Sequence, residues 1–341
     1  MMIRVALVSF WHVHARDYVR QATDNPATEI VAAWDEVPER GRTNAEALGA
    51  RFYERLDDLL AQPDIDAVIV TTPTSAHLEV MGAAARAGKH IFTEKVLAPT
   101  LRECNEILTA VDQAGVKLTV SLPRLYAGYT RAIQEILAQR QLGELTLVRT
   151  RLSHNGAVHT KESPNGWLPE HFFDLEQCAG GALIDLGCHP MYLARLFLGM
   201  PESISATYGY ITGREVEDNA VALLYYPQGA LGVVEAGFVN RFSPFTIEVH
   251  GTEGSLLYGT PDEKLHIRSS LLSKEESERW NVRNDLPPAL PLAFEQWVTH
   301  IQQGTTASEN IQMAVDLTAL MEAANLSAKS FQPVRLDSLA R

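Results

Sequence analysis

Apolar residues occur in short continuous runs through the first 120 residues, and amphipathic segments separate these runs. The predicted strands lie at residues 3–8, 30–34, 67–71, 90–92 and 117–121. The predicted helices lie at residues 16–23, 38–48, 74–87 and 101–114. Continuous apolar strands that alternate with helices are typical of a parallel sheet covered on both faces.

The pattern changes after about residue 122, where strands follow one another. The predicted strands here are residues 146–153, 203–210, 220–226, 230–238 and 246–251, with helical spacing at 181–198 and 292–329. We therefore expect an α/β chain. Residues 1–122 form a Rossmann domain with a doubly wound parallel sheet. Residues 123–341 form an α+β domain with a large open, mostly antiparallel sheet, and its C-terminal helices are candidates to pack back on the first domain.

Charge and cysteine content narrow the classes of function. The net charge is −13, from 29 Lys and Arg against 42 Asp and Glu, which argues against nucleic-acid and membrane partners. A small hydroxylated substrate fits this charge better. Three cysteines without metal-type spacing, no apolar run of roughly 20 residues and a start too short for a signal sequence indicate a cytoplasmic protein.

The loop after the first strand is the expected position of a glycine-rich phosphate-binding turn. It reads Ser9-Phe10-Trp11-His12-Val13-His14, so all three positions of the G-x-G-x-x-G pattern hold other residues. The following helix still presents free amides to a phosphate. Cofactor contacts are therefore expected from Ser9, Phe10, Trp11 and His12, while a Rossmann domain that has lost its nucleotide stays an alternative.

Asp35 ends the second predicted strand, where an acidic residue contacts the ribose hydroxyls in dinucleotide-binding sheets. Glu36 follows it, and two carboxylates disfavour the 2′-phosphate of NADP. NAD is therefore the expected cofactor, and the nearby Arg40 keeps NADP open.

Three further motifs carry a family resemblance. Residues 72–77 read T-P-T-S-A-H, residues 87–95 read A-G-K-H-I-F-T-E-K, and residues 180–189 read G-G-A-L-I-D-L-G-C-H. In this order and separation they resemble the glucose–fructose oxidoreductase, inositol dehydrogenase and rhizopine catabolism (Gfo/Idh/MocA) family. The resemblance implies an NAD(P)-dependent oxidoreductase that acts on a secondary alcohol of a sugar, polyol or cyclitol.

The resemblance also implies roles for individual residues. Lys95 matches the catalytic lysine, and Asp185 and His189 match the catalytic pair. Positions beside the cofactor match Thr72, Pro73, His77 and Glu94. Two further departures are Val96, in place of the proline that usually follows the lysine, and Tyr192, in place of a frequent aspartate.

The chemistry of these residues suits alcohol oxidation. A histidine can take the hydroxyl proton near neutral pH, and a lysine can stabilise developing negative charge on the oxygen. On a regular helix Asp185 and His189 lie about 40° apart on one face. Pro190 either bends that helix or stands in the first turn of a new one.

The remaining polar residues give weaker signals. His12 and His14 alternate as metal ligands can, but the sequence offers no third ligand pattern, so no metal is expected. Substrate contacts are expected from Arg124, His171 and Tyr192, although the stretch around His171 equally fits an ordinary surface loop.

Two other functions stay open. One is an enzyme of the same family that keeps NAD tightly bound, such as an epimerase, eliminase or glycosidase. The other is a non-catalytic sugar or nucleotide sensor, which the altered loop favours and the retained catalytic residues disfavour. Apolar residues on both faces of the strand around residues 221–226 predict a homodimer or homotetramer.

Overall fold

The computed structural model describes residues 2–242 and 245–340. These residues form two compact units. The first contains the chain up to Leu122 together with Pro291–Thr318, and the second contains Pro123–Leu290 and Ala319–Ala340. Part of the C-terminal segment thus belongs to the first unit, so residues 123–341 do not all lie in the second.

The first unit is built on a parallel sheet with the strand order β3-β2-β1-β4-β5-β6. Its strands are β1 (Ile3–Val8), β2 (Thr28–Trp34), β3 (Arg51–Phe52), β4 (Ala67–Val70), β5 (His90–Thr93) and β6 (Leu118–Val120). Its first helices are α1 (Ala15–Asp24), α2 (Pro38–Leu48), α3 (Leu56–Leu60), α4 (His77–Arg86) and α5 (Leu101–Ala114), with a 3₁₀ turn at Thr74–Ala76. This order confirms the predicted doubly wound sheet. Its switch point lies between β1 and β4, where such sheets bind ligands at the carboxyl ends of the strands.

The core of this sheet follows from its composition. Every residue of β4 is buried, as expected for a central strand covered by helices on both faces. Thr100 caps the start of α5 by accepting a hydrogen bond from the Glu103 amide, and Gly115 ends that helix in the left-handed conformation. Helix α5 therefore begins and ends where the sequence pattern predicts.

A C-terminal helix completes the first unit. Helix α10 (Ala293–Gln303) places Phe294 and Trp297 against Phe92 of β5, with ring centroids 5.4 and 5.7 Å apart. The side chain of Asn310 pairs with both backbone groups of Val120, at 2.8 and 2.9 Å, and so covers part of the open edge of β6.

The second unit contains a nine-stranded sheet with the order β14-β13-β12-β11-β7-β10-β9-β8-β15. The strands are β7 (Leu145–Ser153), β8 (Ser203–Gly209), β9 (Asn219–Tyr225), β10 (Leu231–Gly237), β11 (Thr246–Gly251), β12 (Gly254–Gly259), β13 (Lys264–Ser269), β14 (Asn281–Arg283) and β15 (Val334–Arg335). Strands β7 and β10 are parallel, and the other pairs are antiparallel. The predicted open, mostly antiparallel sheet is thus confirmed.

The second unit also contains helices, one of which packs against β7 and β10 of this sheet. They are α6 (Gly128–Ala138), α7 (Leu175–Cys178), α8 (Cys188–Leu198) and α9 (Lys274–Ser277), with 3₁₀ turns at Pro123–Tyr126, Glu170–Phe173 and Leu336–Ser338. The long helix α11 (Ser308–Ser330) is divided between the units after Thr318. Helix α8 packs against β7, where the Thr150 hydroxyl donates to the Pro190 carbonyl at 2.9 Å.

Several predictions for this region need correction. The succession of strands predicted directly after residue 122 misses α6, whose buried Ala132, Ile133 and Ile136 follow helical spacing. Strands β12 to β15 were not predicted. Residues 181–198 are largely helical as predicted but do not form one helix, because Leu183–Gly187 forms a π-helical turn and α8 begins after it. Pro190 stands in the first turn of α8, so the alternative of a new helix is correct.

Candidate active site

The loop between β1 and α1 makes a tight turn without glycine. Ser9 has a φ of 77°, a left-handed conformation that costs a serine more than a glycine. The Ser9 amide donates to the Trp34 carbonyl at 2.7 Å, and the Thr71 hydroxyl donates to the Ser9 carbonyl at 2.6 Å. Hydrogen bonds to β2 and to the end of β4 therefore hold the backbone in the turn that the first glycine of the fingerprint normally makes.

Asp35 is buried at the end of β2 and fully hydrogen-bonded. Its carboxylate accepts from the Phe10 amide at 2.8 Å, from the Val37 amide at 2.7 Å, and from Arg40 at 2.9 and 2.8 Å. Four donors fill the capacity of a carboxylate. Arg40 also contacts Glu36 at 2.6 Å. Asp35 thus joins the β1–α1 loop to Arg40, a partner that the sequence analysis did not assign to it.

Glu94, at the end of β5, is the centre of a buried polar cluster. Its Oε1 lies 2.7 Å from His14 Nδ1 and 3.7 Å from His12 Nδ1, and it accepts a short hydrogen bond from the Tyr18 hydroxyl. Burial raises the pKa of the Glu94 carboxyl, but the His12 and His14 imidazoles and Lys95 outweigh burial and bring it well below the usual value. Glu94 is therefore a carboxylate at neutral pH.

Lys95 follows Glu94 and is buried, with 5% of its surface exposed. Its amide donates to Glu94 Oε2 at 2.9 Å, and the peptide bond between Lys95 and Val96 is cis. The carboxylate of Glu94 thus holds the backbone that carries the lysine.

The turn between β4 and α4 carries the next predicted group. Thr72 is buried, Pro73 precedes the 3₁₀ turn, and His77 begins α4. His77 Nδ1 lies 3.0 Å from the Val96 carbonyl, and burial lowers the pKa of this imidazole. The Thr72 hydroxyl and His77 Nε2 are buried and without a hydrogen-bond partner among the described residues.

These features fit a dinucleotide at the switch point, although the side chains differ from the fingerprint. The Ser9 turn keeps the required backbone conformation, and the unsatisfied Thr72 hydroxyl offers a polar contact. Trp11 and His14 occupy glycine positions as large side chains, and Trp11 is buried.

In the second unit a buried carboxylate holds the start of the segment that carries Asp185 and His189. Glu217 accepts from the Gly181 amide at 2.8 Å and from the Leu183 amide at 2.9 Å. A Cβ on Gly181 would lie 2.2 Å from the Glu217 carbonyl oxygen, so only glycine fits there. Burial raises the pKa of Glu217 to about 7.

His189 is buried in the first turn of α8, and Tyr192 is its side-chain neighbour. The Tyr192 hydroxyl lies 3.0 Å from His189 Nδ1 and accepts from the Arg124 amide at 3.0 Å. Burial keeps the pKa of Tyr192 well above its usual value, so the hydroxyl is neutral. Asp185 is half-buried in the π-helical turn, where its carbonyl accepts from the Cys188 thiol at 3.0 Å.

Arg124 and His171 occupy different surroundings. The Arg124 guanidinium lies over the Phe245 ring, 4.0 Å from its centroid, and donates to the Tyr129 hydroxyl at 3.2 Å. His171 lies in a 3₁₀ turn, where its carbonyl accepts from the Cys178 thiol.

The predicted residues therefore fall into groups within each unit. The first unit brings Phe10 to Asp35, and it brings His12 and the Lys95 amide to Glu94. The second brings His189 to Tyr192 and Arg124. Sequence analysis missed the parts played by Tyr18 and Glu217, because neither belongs to a motif.

In the described part of the chain, none of the helices has the length and apolarity needed to cross a bilayer.

Comparisons with known proteins agree with this architecture. Residues 3–122 match the model of an oxidoreductase family with an NAD-binding Rossmann fold, and residues 130–257 match that of the GFO/IDH/MocA C-terminal domain. A 1,5-anhydro-D-fructose reductase of Ensifer adhaerens is 31% identical over 71% of this chain and 72% of its own. The scyllo-inositol 2-dehydrogenase (NAD(+)) of Bacillus subtilis is 29% identical over 96% of this chain and 93% of its own.

A solved structure shares the fold across almost the whole length. The levoglucosan dehydrogenase in complex with NADH and levoglucosan superposes with a TM-score of 0.82 at 21% identity, covering 98% of this chain and 100% of that protein.

Proposed function

The chain belongs to the Gfo/Idh/MocA family of oxidoreductases, and from this membership we propose that it oxidises a secondary alcohol of a sugar, polyol or cyclitol. The proposal is supported by Lys95, Asp185 and His189, which stand in motifs that resemble those of the family and match the positions of its catalytic residues. Lys95 and His189 are both buried, which strengthens their electrostatic action on a bound substrate. The relatives that act on inositol and anhydrofructose support a small hydroxylated substrate.

Each residue has a distinct part in this proposal. The bound nicotinamide supplies the hydride chemistry. Lys95 donates a hydrogen bond to the reacting oxygen, and Glu94 fixes the lysine backbone. His189 takes the hydroxyl proton, while Tyr192 orients the imidazole from its Nδ1 side. Asp185, four residues before His189, helps to orient the imidazole or the lysine.

Cofactor contacts are proposed for Ser9, Phe10, Trp11 and His12 in the first loop, and for Thr72, Pro73, His77 and Glu94. A contact is also proposed for Asp35 at the end of β2, with the ribose hydroxyls donating in place of Arg40. NAD is the proposed preference, because Arg40 is held by Asp35 and Glu36 and its charge is compensated. Substrate contacts are proposed for Arg124, His171 and Tyr192.

We also propose a homodimer or homotetramer in the cytoplasm. On the outer face of the second sheet Val221, Leu223 and Tyr225 of β9 are each about 40% exposed, while the alternate residues of the strand are buried. A second copy would cover this apolar row. Cys104, Cys178 and Cys188 form no disulfide, in keeping with a reducing compartment. Light scattering at micromolar concentration tests the assembly, and a monomer would contradict it.

A ligand and activity screen tests the function. The protein is heated with NAD, with NADP and with a panel of sugars, polyols and cyclitols, because ligands of the native state raise the melting temperature. Stabilising alcohols are then assayed for NADH release. Stabilisation by NAD with no turnover of any stabilising alcohol would favour the sensor, and NAD that copurifies with the protein would favour a tight-NAD enzyme.

A further inference from the structure

His12, His14 and Glu94 bring three metal-ligating side chains together in the first unit. One nitrogen from each imidazole and one oxygen of the carboxylate lie within 4.8 Å of one another. His12 and Glu94 are buried, and the His14 side chain is 40% exposed. The cluster joins the β1–α1 loop, which lacks the glycine-rich fingerprint, to the end of β5.

The spacing of these atoms is close to that of a zinc site. With bonds of 2.0–2.1 Å, two ligands of a tetrahedral zinc ion lie about 3.3 Å apart. The observed separations from Glu94 Oε1 are 2.7 Å to His14 Nδ1 and 3.7 Å to His12 Nδ1, one shorter and one longer than this distance. The remaining pair, one nitrogen of each imidazole, lies within 4.8 Å, so its separation must shrink by up to about 1.5 Å for all three atoms to bind one ion.

The hydrogen bonds of the ligand atoms define what a metal ion would replace. His12 Nδ1 accepts a 3.2 Å hydrogen bond from the His14 amide, so an ion bound to this nitrogen takes the place of that amide hydrogen bond. The two oxygens of Glu94 are oriented by the Tyr18 hydroxyl and the Lys95 amide. Such outer hydrogen bonds to a ligating carboxylate are typical of metal sites.

We propose that His12, His14 and Glu94 bind one divalent cation of the zinc class, leaving a fourth coordination position for water or a ligand oxygen. Two imidazoles and one carboxylate are a ligand set that zinc prefers, and a site with an open position is typical of zinc ions that act on ligands. The ion takes the place of the proton that His14 and Glu94 share at 2.7 Å. This inference goes beyond the proposed oxidoreductase function and does not rest on it.

A metal titration tests the site without any substrate. The full chain is freed of metal with a chelator, and Zn²⁺ binding is measured by calorimetry, with Co²⁺ absorption as a second readout. His14→Asn is the main variant, because the half-exposed side chain can be exchanged with little effect on folding. His159→Asn is the matched control, since His159 is an exposed histidine outside the cluster whose Nδ1 lies 2.8 Å from the Pro164 carbonyl.

The expected result is one equivalent of Zn²⁺ bound by the wild type and by His159→Asn. His14→Asn is expected to bind at least about 100-fold more weakly. Glu94→Gln, checked for folding by circular dichroism, is expected to bind as weakly. A wild type that binds no stoichiometric Zn²⁺, or a His14→Asn protein that binds it as tightly as the wild type, overturns the proposal and leaves the oxidoreductase function untouched.

Discussion

Glu94 in the first unit and Glu217 in the second are both buried carboxylates that hold the backbone beside a candidate catalytic residue, yet their partners differ. Imidazoles and a phenol surround Glu94, whereas the described hydrogen bonds of the Glu217 carboxylate come from two backbone amides. Burial raises both pKa values, but two imidazoles and Lys95 lie near enough to Glu94 to reverse that effect. The partners of a buried acid, rather than its depth, therefore decide its charge.

The two acids therefore contribute to stability in opposite pH ranges. The pKa of Glu94 is lowered on folding, so its contribution is present above the unfolded pKa and is lost as the pH falls through the folded one. The pKa of Glu217 is raised to about 7, so its contribution is present below the unfolded pKa and is lost as the pH rises through about 7.

The largest expected effect is on the residue that Glu94 holds. Lys95→Met deletes the ammonium group and keeps an unbranched apolar side chain, so kcat should fall about 10²- to 10⁴-fold while NAD binding changes little. Steady-state kinetics and calorimetry measure the two quantities. Lys329→Met, at an exposed position of α11, serves as the control. Near wild-type turnover of Lys95→Met would show that neither Lys95 nor the cluster around Glu94 takes part in the reaction.

Glu217→Gln tests whether the pKa of Glu217 is raised, unlike that of Glu94. The change replaces one oxygen that accepts a backbone N–H by an amide group that cannot, and it removes the titration. Between pH 5 and pH 8, the free energy of unfolding of the wild type should fall relative to the variant by about 2 kcal/mol. Urea unfolding at both pH values measures this difference. The exposed Glu215→Gln should show none, and an equal pH response of wild type and Glu217→Gln would contradict the raised pKa.

Tyr192→Phe tests whether the neutral Tyr192 hydroxyl orients the His189 imidazole. The variant keeps the buried ring but removes the hydroxyl between His189 and the Arg124 amide. The lost hydrogen bond should raise the activation free energy by about 1 kcal/mol, so kcat should fall roughly fivefold. Tyr226→Phe is a matched control, since that hydroxyl bonds the Gly199 carbonyl. Equal losses of kcat in the two variants would mean that the effect is general packing.

Asp35→Ser has the smallest expected effect on function. It releases Arg40 from its buried partner, so the ratio of NADP to NAD affinity should rise at least about threefold, or roughly 0.7 kcal/mol. Calorimetry with both cofactors measures the ratio. A wild type that binds NADP more tightly than NAD would refute the proposed preference.

The sequence predicts most of the fold of the first unit. Continuous apolar runs mark the buried parallel strands, and caps such as Thr100 and Gly115 mark the ends of a helix. In the second unit β13 was missed although its buried Leu265 and Ile267 alternate with polar residues. The π-helical turn before α8 was missed because side-chain spacing does not separate it from a regular helix.

The candidate site is predictable only where a motif exists. Lys95 and His189 stand in recognisable patterns, but the contact between His14 and Glu94 joins residues 80 positions apart. Glu217 has no motif, and its role depends on the close approach of Gly181. Such contacts are properties of the folded chain, since a single sequence holds no signal for them.

The most direct test of the proposed dehydrogenase reaction follows the hydrogen atom on the reacting carbon of the substrate. An alcohol that the screen identifies as a substrate is labelled with deuterium on the reacting carbon and incubated with NAD and the wild-type protein. Direct hydride transfer from this carbon places one deuterium on each molecule of released reduced cofactor, with product formed in equal amount. Product without released reduced cofactor, or reduced cofactor without deuterium, would contradict the proposed dehydrogenase reaction.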